Sequence, residues 1–222
     1  MIDLKVQSAI RSALEAFSQY DYAEANSFVL KFVDVFSLDE DFLRKVAALD
    51  GVFDENPSLE ALRELFFDLL LINFFSEDVK KLDDDYLETK EWERIEEETL
   101  DRGTELLNTL LYLNECADED IEPGLDDYLK EFLLVDEDEF QDEHRIYEPV
   151  IINQVLIESP VAEISRVAKT LADDAEIKEI FYPLMCFFQN TSPSASEKTE
   201  IAKNAIDPGF DMAVIGILES FI

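Results

Sequence analysis

The chain has 222 residues, of which 47% are apolar, enough to bury a sizeable core and to argue against a disordered polypeptide. Lys and Arg number 18 against 53 Asp and Glu, which gives a net charge of −35 and a pI near 4.1. Such a polyanion is expected to bind neither nucleic acid nor an anionic membrane directly, because both are negative surfaces recognised through Lys and Arg. Its natural complement is a basic protein.

Met1 to Lys5 lack the basic and apolar stretches of a signal peptide, and a cytoplasmic location is the expectation. Apolar residues then recur at helical spacing. Val6, Ala9, Ile10, Ala13, Leu14 and Phe17 mark a first helix, and Tyr22, Ala25, Phe28, Val29, Phe32, Val33 and Phe36 mark a second, with Asp21 placed to cap it. Residues 2–36 resemble one tetratricopeptide hairpin in the placement of Tyr22 and Ala25. They lack that family's Trp and Leu-Gly positions and the pattern does not recur downstream, so the likeness reads as shared helix-packing chemistry and not as membership.

Ser37 and Glu40 have the spacing of a capping box for a third helix, which Gly51 is expected to end. A fourth helix is predicted from Ser58, and Ser76 is placed to cap a short one through Val79 and Leu82. A long helix is then predicted from about Tyr86 to Cys116. The stretch from Ala117 to Gly124 is the candidate subdomain break within a single domain spanning 1–222. Further helices follow through Leu129, Phe140, Val150, Ile164, Ile180, Ile201 and Ile217, with a kink expected at Pro183. The predicted fold class is therefore all-α, with roughly ten to twelve helices packed as antiparallel hairpins in an irregular array or bundle.

The carboxylates are not spread evenly. Residues 76–148 hold 28 acids against 7 bases, whereas the preceding part holds 14 against 6 and the following part 11 against 5. Within the long predicted helix Glu93, Glu97, Asp101 and Glu105 follow at four-residue steps, a stripe about 18 Å long at a rise of about 1.5 Å per residue. Such a stripe is either tolerated on a solvated face or serves to bind a basic surface. Asp136, Asp138 and Glu139 form a second candidate cluster for partner binding. An imitation of duplex DNA, with one charge per ~1.7 Å of axis, would need two such helices side by side, because one supplies a charge only every ~3 Å.

Most catalytic machinery needs residue types that are scarce here. His144 is the one histidine, which rules out di-iron sites built on paired Glu-x-x-His motifs. The five scattered glycines form neither a Walker loop nor a dinucleotide fingerprint. Asp118, Asp120 and Glu122 copy the start of an EF-hand loop, but Pro123 stands where that loop needs Gly and Leu129 where it needs Glu. Cys116 and Cys186 read as ordinary buried side chains. No cofactor, no metal and no catalytic residue is expected. The primary expectation is a non-catalytic adaptor or inhibitor whose acidic face docks a basic protein, of the toxin-neutralising or DNA-mimic kind. The alternatives are a helical scaffold that binds a peptide in an apolar groove, and a magnesium-dependent carboxylate enzyme using pairs such as Glu98 and Asp101. A charge-driven complex weakens with salt and a groove complex does not, which separates the first two.

Overall fold

Asp3 opens the first helix by accepting the backbone N–H groups of Lys5 and Val6, and the apolar stripe named above turns inward along α1 (Leu4–Tyr20). In the computed structural model, which describes residues 2–78, 86, 89–133 and 146–222, a 3₁₀ turn (Ala25–Phe28) leads into α2 (Val29–Phe36) and α3 (Phe42–Glu55). A second 3₁₀ turn (Pro57–Leu62) runs into α4 (Arg63–Asp78), followed by α5 (Lys90–Thr99) and α6 (Leu106–Glu119). A short α7 (Leu125–Asp127) widens into a π-turn (Tyr128–Phe132), and α8 (Glu148–Ile152), α9 (Val161–Ala168), α10 (Lys178–Gln189), α11 (Ala195–Asn204) and α12 (Pro208–Glu219) complete the chain. No strand occurs among the described residues, and the fold is an all-α helical array.

Several boundaries differ from the sequence expectation, each for a local reason. Asp21 closes α1, its N–H donating to the Phe17 carbonyl, instead of capping the second helix. Ser37 still belongs to the end of α2, donating its N–H to the Val33 carbonyl, so the third helix opens at Asp41, which accepts the Arg44 N–H. Gly51 does not end that helix, because Val52 and Phe53 continue the buried stripe begun by Phe42, Val46 and Leu49. Ser76 lies inside α4, and Val79, Leu82 and Phe140, which mark further expected helices, lie outside the described residues. Pro183 lies inside α10, where every residue from Ile180 to Phe188 is buried and packing from all sides carries the helix across the missing donor.

The buried apolar side chains form a cluster from Val6 to Phe221. Phe32, Phe53 and Phe66 join α2, α3 and α4, with ring centroids 4.4 to 5.8 Å apart. The most extensive helix pairing is between the first helix and the last, α1 and α12. Gly216 permits it. A Cβ at that position would stand 3.1 Å from the Ser12 carbonyl oxygen, so any other residue needs the Ser12 backbone to give by a few tenths of an ångström. Ser220 donates to Ser12 across the same contact at 3.1 Å.

Candidate functional site

The helix expected to run unbroken to Cys116 is two helices, α5 and α6, joined by a turn through residues 100–105. Gly103 sits in that turn at φ +87°, a conformation that L residues rarely adopt, and a Cβ there would fall 2.5 Å from Asp68 Oδ1. The turn is fastened to the body by charge. Arg102 donates to both carboxylate oxygens of Asp50 on α3, at 3.1 Å, and to Glu64 on α4, at 3.0 Å, while its guanidinium lies 4.8 Å from the Phe67 ring. The Gly103 N–H donates to Glu64 at 2.7 Å, and the Thr104 N–H and hydroxyl both donate to Asp68. Asp68 is 1% exposed, and burial pushes its carboxyl well above the usual range, against the two Thr104 hydrogen bonds that pull it down. Sequence reading missed Asp50, Glu64 and Asp68. The signal that could have found the break is Gly103, in a stretch with no core-facing apolar residue between Ile95 and Leu106.

On the other side of α5 lies the acidic face. Ile95 is buried, and Trp92 stacks on Phe74 at 6.4 Å and meets Phe75 at 5.6 Å, which fixes the inner side of this short helix. Glu93 and Glu97 therefore project into solvent, and Asp101 is exposed at the head of the turn. Among the described residues none of the three takes part in an ion pair or a side-chain hydrogen bond, whereas Glu98 is paired with Arg94 at 2.7 Å. Beside them Leu100 stands 81% exposed. Glu105, the fourth member of the expected stripe, is turned away. It accepts the Tyr147 hydroxyl at 2.5 Å and an Asn108 N–H, in a chain of hydrogen bonds that continues from Tyr147 through Tyr128 to Thr109. The break at Gly103 ends the helical register that would have kept it in line. Asp136, Asp138, Glu139 and His144 lie outside the described residues.

A second feature gathers at the end of α6. Asp120 closes the helix in the left-handed conformation, φ +58°, and the Ile121 N–H donates back to the Cys116 carbonyl at 2.8 Å. The following loop is held by Tyr112, whose hydroxyl accepts the Gly124 N–H at 3.0 Å and lies 2.9 Å from Asp127. Between this loop and residues 221–222 lies a groove of about 480 Å³ lined mainly by Leu113, Cys116, Ala117, Ile121, Pro123 and Phe221. An opening of similar volume, between α9, α10 and the start of α12, holds Asp211. Asp211 is 1% exposed, and burial drives its carboxyl up to about 7, although it accepts the N–H groups of Ile206 and Asp207.

Cys116 and Cys186 are free and buried as expected, and burial raises both thiols, Cys186 to about 12, so neither is held as a thiolate. Among the described residues no group of three or more His, Cys, Asp or Glu is arranged to hold a metal ion, and no helix is long and apolar enough to cross a membrane. No protein-family model, no curated protein and no solved structure matches the chain.

Proposed function

We propose that the protein is a non-catalytic binding module, an adaptor or inhibitor, whose acidic face docks a basic protein. The observation that carries this reading is the trio Glu93, Glu97 and Asp101, exposed and unpaired among the described residues, two on a short helix whose opposite side is fixed by Ile95 and Trp92 and the third in the turn that follows it. Carboxylates that only solubilise a surface do not need a rigid support. These three stand beside a turn that Arg102, Gly103 and Thr104 fasten to α3 and α4, so their spacing is set before any partner arrives. A preset row of negative charge speeds encounter with a positive surface and fixes its register, and salt screens the attraction.

The test is affinity capture from the source lysate with the wild-type protein and the E93K/E97K/D101K variant side by side. Basic proteins should be held by the wild type, released by rising salt and absent from the variant. Identical captured proteins on both would refute the assignment.

A further inference from the structure

The groove at the end of α6 combines two properties: its floor is apolar, and the only charged side chains in its lining are acidic. Ala117 is exposed and Ile121 is 48% exposed over Leu113, Cys116 and Phe221, while Asp120 and Glu122 line the edge. Asp118 and Glu119 stand exposed on the last turn of α6, and among the described residues none of these four acids takes part in an ion pair or a side-chain hydrogen bond. Lys5 touches the floor through Phe221, but its ammonium is already donating to the Phe221 carbonyl and Asn114. The opening beside Asp211, by contrast, carries Lys169 and Lys178 in its lining.

In a left-handed helix cap of this kind the residue after the cap ordinarily folds back onto the last turn and closes it. Here that residue is Ile121, and its half-exposed side chain borders the groove instead of sealing it. Tyr112 fastens the loop on both sides of Gly124, so the groove exists before binding. A volume of about 480 Å³ suits one or two side chains and not a whole helix.

We infer that this groove is the docking site for a short basic amphipathic segment of the partner protein, with an aliphatic or aromatic anchor seated on Ala117 and Ile121 and flanking Lys or Arg side chains over Asp118, Asp120 and Glu122. The inference rests on the reading that the acidic surface binds a basic protein, and it adds where the apolar contact is made and what the partner must carry. The charges supply attraction and register, and the anchor supplies the part of the affinity that salt does not remove.

Two labelled peptides of equal positive charge test it by fluorescence anisotropy, one alternating Leu with Lys and the other with every Leu replaced by Ser. The Leu peptide should bind the wild-type protein about tenfold tighter, the gain expected from a single modest apolar contact. It should keep that advantage at raised salt. A117W, which fills the groove, and I121S, which strips its border, should each bring the Leu peptide down to the affinity of the Ser peptide and leave the latter unchanged, with helical circular dichroism intact. An advantage that survives both variants, or no advantage at all, overturns the groove assignment. If the Leu advantage is absent or survives both variants while the Ser peptide binds and E93K/E97K/D101K abolishes that binding, the acidic-face reading stands and the groove alone fails. Binding of neither peptide overturns both.

Discussion

Asp211 is where the cost of an acidic sequence reaches the interior. Its side chain is buried beside the start of α12, and its carboxyl sits near 7 instead of its ordinary 3.8. At about 1.4 kcal/mol for each tenfold, that difference favours the protonated form in the folded protein by about 4 kcal/mol. Because the folded-state value lies above the unfolded one, the native state holds more protons than the unfolded chain between about pH 4 and about pH 7. Stability from this group is therefore full below that window, falls as pH rises through it and is lost above it. Asp211→Asn removes the ionisation and keeps an oxygen that can accept from Ile206 and Asp207. Urea unfolding of the wild type and D211N, compared from about pH 4 to about pH 8, should give curves that nearly coincide at the acid end and separate as pH rises, with D211N the more stable by up to about 4 kcal/mol. Repulsion among the other carboxylates is common to both proteins and cancels in the difference. Parallel curves, with D211N less stable at every pH, would refute the reasoning.

Removing the Arg102 guanidinium should leave Asp50 with Arg63 alone and Glu64 with the Gly103 N–H alone; R102A should lose about 2 kcal/mol in urea unfolding, and R102K should recover little, since an ammonium cannot bridge both carboxylates in the plane of a guanidinium. Two glycine replacements should differ in sign. G51A lies in the middle of α3 with open space around the new methyl and should raise stability by about 0.5–1 kcal/mol. G216A presses on the Ser12 backbone and should lower stability by about 1 kcal/mol, read as a fall in melting temperature.

Much of the fold was legible because helical periodicity survives in almost every segment. The residues that repeat through α1, Val6 to Phe17, are those that are buried, and Ile217, expected in a terminal helix, lies in α12. Boundaries were read less well. A capping signal such as Ser37 and Glu40 is short, and the ends of α2 and α3 were settled by which residues still faced the core. The acidic stripe was legible as composition and spacing, and three of its four members, Glu93, Glu97 and Asp101, are exposed. Glu105 was not, because its direction depends on Tyr147, 42 residues away.

By itself the sequence determined an all-α chain, a surplus of carboxylates concentrated in its middle third, and buried unreactive cysteines, because each follows from local periodicity or from counting. The tertiary structure alone decided the break between α5 and α6, where Asp50, Glu64 and Asp68 from two earlier helices converge on Arg102, Gly103 and Thr104. It also decided the pairing of the first helix with the last through Gly216, and the groove that brings the end of α6 beside Phe221. Each joins residues tens to hundreds of positions apart, and such contacts are set by the packing of a shared core, about which the spacing of residues within one helix carries no information.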